Sequence, residues 1–338
     1  FGKLRRSLRG NIRDNIALTD LKSHRLDAGD MSVTILSLGC ITHDWRVPLG
    51  DALVPIVLSY RDPADHLRHR GSLGIIAGRV ANRIANAQFS HDGTTYHLAA
   101  NEGRNQLHGG PRGLASRNWT LEPDGATGVQ LSHRSPDGDQ GFPGNVDFTV
   151  TIRLQDNRLI YDMIAMPDRA TPINLAQHSY YNLMGSGTIW DHQLQIASLA
   201  YTPTDGALIP TGQIAPLDGQ PFDYRQQKLI RQADPTQKGA DVNLVLDQTA
   251  KKPAATLSAP NGLCLKLWTD QPGLQLYTGA KLSAKAPPME AQTHQAFTGL
   301  CLEPQHFPDA PNQSQFPSII CTPERPYHQR LKIEVSPL

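Results

Sequence analysis

The chain has 338 residues, with 32 Lys+Arg against 31 Asp+Glu and a formal net charge of +1. That balance gives no global field for nucleic acid or for an anionic membrane surface. Its 28 glycines and 26 prolines favour turns over a helical bundle, and an apolar fraction of 39% is enough for a core, so general disorder is excluded.

The opening segment is the lopsided one, with Lys3, Arg5, Arg6, Arg9 and Arg13 against Asp14. No long apolar face accompanies these charges, so residues 1–30 read as a basic arm, solvated or loosely docked. Residues 31–338 read as a single β domain. Met31 to Thr42 alternates small or polar residues with Val, Ile and Leu, as a strand does. A short helix is expected over Ala64–Arg70. His66 and His69 in it are an i,i+3 pair with no third ligand nearby, so a solvated helix turn is preferred to a metal site. Ser90 to Leu98 reads as a hairpin turning at Asp92-Gly93, and residues 146–154 and 159–166 as a second, joined by Gln155–Arg158. Residues 262–270 and 274–279, around Gln271-Pro272-Gly273, form another strand-turn-strand unit. Lys281 to Gln295, with Pro287-Pro288, reads as a long surface loop, and residues 331–335 as a last strand.

Closely spaced strands without β/α alternation point to an all-β fold, a large antiparallel β sandwich with few short helices. No apolar run is long enough for a membrane span. No glycine-rich nucleotide motif occurs, so no nucleotide cofactor is indicated. Cys40, Cys264, Cys301 and Cys321 are far apart, without a C-x-x-C pair. They read as reduced, buried thiols of a cytoplasmic protein.

Polar residues embedded in apolar or Gly/Pro-rich contexts mark the candidate site. They are Asn82-Arg83 in GRVANRI, His108 in NQLHGG, His178 in INLAQHSYYNL, Asp241 in GADVNLVL, Gln275 in GLQLYTG and Glu303 in GLCLEPQHFPDAPN. Singly, each has a bland reading as a structural or solvated residue. Strand parity sharpens them. It puts Gly299, Cys301 and Glu303 on one face with Leu300 and Leu302 in the core, groups His178 with Tyr180 and Asn182, and pairs Gln275 with Tyr277. Adjacent Asn82 and Arg83 can share a site only across a turn or bulge.

In this order the segments resemble the aldose 1-epimerase (galactose mutarotase) family, from about Met31 to the C-terminus. The strings that carry the resemblance are GRVANRIANAQFSHDGTTYHLAANEGRNQLHGG, SPDGDQGFPGN, PINLAQHSYYNLMG, TDQPGLQLYTG and CLEPQHFPDAPNQ. The resemblance implies a β-supersandwich of galactose-mutarotase type and an isomerase that interconverts α and β anomers of an aldose. It implies His178 as general acid, Glu303 as general base, and Asn82, Arg83, His108, Asp241 and Gln275 as sugar-binding residues. It implies a small-molecule sugar partner and no metal or other cofactor, because the reaction is proton transfer. Arg79, His91, His97 and His192 are expected to be structural. The chain departs from the family pattern at Ser72-Leu73, Asp241-Val242-Asn243, Glu303-Pro304-Gln305 and Phe307-Pro308-Asp309, beside the binding positions. Other readings are a non-catalytic sugar binder or sensor on the same scaffold, a sugar-phosphate epimerase, or a glycosidase using Asp241 with Glu303.

Overall fold

The longest hairpin shows how the sequence pattern becomes a layer. In a computed structural model, which describes residues 17–69, 71–249, 252–283 and 286–338, strands Val146–Gln155 and Arg158–Pro167 pair antiparallel from Val146↔Pro167 to Gln155↔Arg158. Alternate residues Val146, Phe148, Val150, Ile152 and Leu154 are buried, while their neighbours face outward or lie half-buried. Period-two burial of this kind gives one dry face and one wetter face. The hairpin belongs to a nine-stranded sheet in which Tyr327–Pro337 lies between Arg158–Pro167 and Leu263–Thr269. The expected last strand thus sits mid-sheet.

A six-stranded sheet packs on its dry face, in the order Tyr180–Tyr181, Leu300–Gln305, Gly273–Tyr277, Asp241–Leu246, Ser198–Tyr201 and Ala215–Pro216. Leu244, Leu274, Leu276, Leu300 and Leu302 join Val150, Ile152 and Leu331 in one continuous core. Each such side chain contributes about 1.5–3 kcal/mol by leaving water. Every residue of Leu300–Gln305 is buried, so this strand is covered on both faces. The sandwich is antiparallel and its helices are short, in agreement with the sequence reading.

Several expectations are corrected. Residues 1–16 of the expected arm lie outside the described residues. Ser23–Ala28, however, pairs with Met31–Leu36 in a four-stranded sheet, so the arm cannot extend to residue 30. Leu26 is fully buried and anchors that strand in the core. The strand read over 31–42 is two, Met31–Leu36 and Thr42–Leu49, because Gly39 (φ +58°) and Cys40 (φ +52°) turn left-handed. A Cβ on Gly39 would lie 2.5 Å from the Ala115 carbonyl oxygen, which explains the glycine.

The helix is only Asp65–Arg68, and His66 is not solvated. It is buried, with Nε2 3.0 Å from Ser59 Oγ and 3.2 Å from His43 Nδ1. Leu263–Thr269 and Gly273–Tyr277 are not a hairpin. The chain crosses from the nine-stranded to the six-stranded sheet between them, which the alternation of either strand alone does not reveal. The 281–295 segment is irregular but not wholly on the surface. Gln292 and His294 are buried, and the Gln292 amide donates to the Val57 carbonyl at 2.8 Å. The Asp92-Gly93 hairpin forms as read, with both turn residues at positive φ and the Phe89 and Tyr96 rings stacked 5.0 Å apart.

Candidate active site

Four neighbouring strands of the six-stranded sheet supply the floor. The register Asn243↔Gln275↔Glu303 puts these residues in one cross-strand row, and Asp241↔Tyr277↔Cys301↔Tyr180 forms the next. Residues at even spacing share a face, so Asp241, Gln275, Tyr277, Cys301 and Glu303 lie opposite the core leucines. The walls come from elsewhere. His178 ends strand Ala176–His178, paired to Ile75–Ala77, and Ser179 links it to Tyr180–Tyr181 of the floor. The short ladder Arg83↔Leu107, Ile84↔Gln106 brings His108 against Asn82. Both residues are left-handed, with φ +62° at Asn82 and +50° at His108. That turn is what lets Asn82 and adjacent Arg83 face the same space.

All seven residues selected from the sequence line one cavity of about 180 Å³. His178 Nε2 lies 3.5 Å from Glu303 Oε1. The Gln275 amide donates to Asp241 Oδ1 at 2.6 Å. Arg83 donates to Glu102 through Nε at 2.6 Å and Nη2 at 2.8 Å, a two-pronged ion pair. Two acceptors, Glu303 Oε2 and Gln275 Oε1, are buried without a protein partner. Buried acceptors of this kind call for donors from water or a ligand.

The two histidines meet different partners. The Asn82 N–H donates to His108 Nδ1 at 3.2 Å, so the His108 proton sits on Nε2 and that nitrogen is a donor. His178 has Cys301 Sγ 3.5 Å from Nδ1 and Glu303 Oε1 3.5 Å from Nε2. Nε2 is therefore the nitrogen that can accept or donate a proton beside Glu303. Burial lowers the His178 pKa to about 4 and pushes His108 well below the usual imidazole range, helped by nearby His178 and Arg83. Burial, with the Asp241 charge beside it, pushes Glu303 well above the usual carboxylate range. These opposite shifts favour a His178–Glu303 pair that shares one proton between its members.

His178, Cys301 and Glu303 are also the one set of three such side chains, among the described residues, with ligand atoms within 4.8 Å of one another. His178 turns Nδ1 to the thiol and Nε2 to the carboxylate, so one ring nitrogen cannot serve both partners, and the set suits proton transfer better than metal binding. A larger cavity of about 680 Å³, walled by Tyr201, Phe222 and Tyr224, shares Asp241 but none of the other six residues. Its size does not outweigh the chemistry gathered in the smaller one.

Some site residues were not selected from the sequence. Tyr180 and Tyr277 line the cavity, and strand parity with His178 and Gln275 already pointed to them. Glu102 and Lys281 also line it, and no sequence pattern marked either. Parity misplaced Asn182, whose amide donates to the carbonyls of Ser186, Gly187 and Thr298 away from the cavity. Arg79 is structural as read, donating to Ser135, Pro136 and Pro143.

Residues 22–334 match the aldose 1-epimerase family. The chain belongs to that family. It is 38% identical to the galactose mutarotase of Rattus norvegicus, over 91% of this chain and 92% of the relative. It is 37% identical to the aldose 1-epimerase of Escherichia coli K12, over 88% and 89%. The structure superposes on an aldose epimerase homologue from C. elegans with a TM-score of 0.89 at 27% identity, covering 94% and 99% of the two chains. This aldose 1-epimerase is an isomerase of α and β anomers on a galactose-mutarotase-like fold. Among the described residues no helix is long and apolar enough to cross a membrane.

Proposed function

We propose that His178 and Glu303 are the proton-transfer pair for anomer interconversion of a neutral aldose, galactose among the substrates, bound by Asn82, Arg83, His108, Asp241 and Gln275. The observation that carries this reading is the His178 Nε2–Glu303 Oε1 separation of 3.5 Å inside a buried cavity lined by all seven residues.

The ring opens when Glu303 takes the proton of the anomeric hydroxyl and His178 Nε2 delivers a proton to the ring oxygen. The C1–O5 bond breaks as the C1 carbonyl forms. One proton has entered the pair and one has left it. The product state, neutral His178 with protonated Glu303, is the one that burial favours. Rotation about C1–C2 presents the other carbonyl face, and closure runs the transfers backwards. The Nε2–H of His108 and the unpaired N–H groups of Arg83 are donors for charge developing on the sugar oxygens. Sugar hydroxyls supply the donors that Glu303 Oε2 and Gln275 Oε1 lack.

The catalytic unit runs as one domain that takes in strand Ser23–Ala28, since the proposed site residues span 82 to 303. The four free, buried cysteines support a cytoplasmic setting. Polarimetry of freshly dissolved α-galactose and α-glucose with wild type, His178→Ala and Glu303→Ala tests the roles. Loss of about 10²- to 10⁴-fold in each variant is expected. Wild-type rates in either variant would refute the assignment.

A further inference from the structure

We infer that Glu102 is a specificity-determining residue. By occupying the Arg83 fork it keeps the cleft electrically neutral and excludes aldoses that carry an anionic group. The inference rests on the proposed function only in taking this cleft as the sugar site.

Arg83 is the buried cation of the cleft, with a side chain 9% exposed, and Glu102 reaches it from the mouth at 38% exposure. The contact uses Nε and one Nη2 hydrogen, the two-pronged edge that a phosphate or carboxylate would otherwise take. Three donor hydrogens of the guanidinium remain for neutral hydroxyls. The charges facing the cavity are Glu102, Asp241 and Glu303 against Arg83 and Lys281. His108 is neutral, and the His178–Glu303 pair, holding one proton, adds no net charge in either of its forms. The negative charges of Glu102 and Asp241 therefore balance Arg83 and Lys281. A phosphorylated aldose entering this lining must displace Glu102 from Arg83 while facing two carboxylates. A neutral aldose meets no such cost.

Glu102→Gln keeps the shape and one acceptor but removes the charge. Glu102→Asp keeps the charge on a shorter arm. The readout is the ratio of kcat/KM for an aldohexose to that for its 6-phosphate, with inorganic phosphate as a competing ligand. Glu102→Gln should narrow the wild-type ratio by roughly tenfold or more and make phosphate a competitive inhibitor whose effect fades with added salt, as expected for an exposed like-charge interaction removed at the mouth. Glu102→Asp should retain the wild-type preference for the neutral sugar. Stabilisation of Glu102→Gln against heat by phosphate, without the same effect in wild type, reads the charge lock without any turnover. An unchanged ratio in Glu102→Gln, or a Glu102→Asp variant that accepts the 6-phosphate as Glu102→Gln does, overturns the inference. Failure of wild type to act on any neutral aldose would instead refute the active-site reading, and the phosphate stabilisation would still judge the lock.

Discussion

Glu303→Gln should raise stability and abolish activity in the same protein. The carboxyl is fully buried, Oε2 has no partner, and Asp241 adds a like charge. Its pKa is therefore raised on folding. The unfolded chain releases the proton from pH about 4.3 upward, while the folded chain holds it. The stability Glu303 contributes is thus full at acid pH and is lost as pH rises towards its folded pKa. Each tenfold displacement of the ionisation constant amounts to about 1.4 kcal/mol. Glutamine removes that loss. Its amide also finds an acceptor in the orphaned Gln275 Oε1 across the strand pair, worth about 1 kcal/mol. The same change removes the proton acceptor, which costs about 10²- to 10⁴-fold, or roughly 3–5 kcal/mol of barrier. Thermal unfolding from pH 4 to 8, beside polarimetry, measures both effects. The variant should melt above wild type at pH 8, and the gap should close towards pH 4. A variant that melts lower than wild type at pH 8, or that keeps activity within tenfold of wild type, refutes the reasoning.

The buried histidines act in the opposite sense to Glu303, and through them acid should destabilise the wild type. Burial lowers His43, His178 and His192 to about 4 each, so stability present above pH 6.5 is lost as pH falls towards 4, by about 3 kcal/mol per histidine. A melting temperature that stays flat over this range would contradict it. Asp241→Asn should raise KM more than it lowers kcat, because Asp241 orients Gln275 at 2.6 Å and transfers no proton itself; steady-state kinetics on a neutral aldose separates the two. Gly39→Ala should lose about 1–3 kcal/mol in urea unfolding, from the left-handed backbone and the Ala115 carbonyl 2.5 Å from the new Cβ. Leu302→Ala should cost about 2–5 kcal/mol at a fully buried core position, and unchanged stability would mean the strand packs otherwise.

Much of this molecule is local chemistry, and local chemistry is legible in a sequence. Period-two alternation in residues 146–167 specifies a hairpin with one dry face, and Asp92-Gly93 specifies the turn of another, between Gln88–His91 and Thr94–His97. The parity of Leu300, Cys301, Leu302 and Glu303 separates core from site before any sheet is assembled. The ordered motifs name the family and the seven polar residues that line the cleft. What the sequence leaves open is non-local. The 263–277 segment reads as a hairpin because each strand pairs by hydrogen bonds that any neighbour can supply, and only the assembled layers send its halves into different sheets. His66 looks solvated in a short polar helix, yet Ser59 and, from strand Thr42–Leu49, His43 bury it. Glu102 carries no pattern of its own. Its meaning comes from Arg83, nineteen residues earlier, held 2.6 Å away across a short ladder. Nor does sequence say what each histidine nitrogen meets. Tertiary contacts do so, because a backbone N–H meets His108 Nδ1 whereas His178 Nδ1 meets the Cys301 thiol and its Nε2 meets Glu303. Residue types set the chemistry available, and the fold decides which atoms face one another and how little water lies between them.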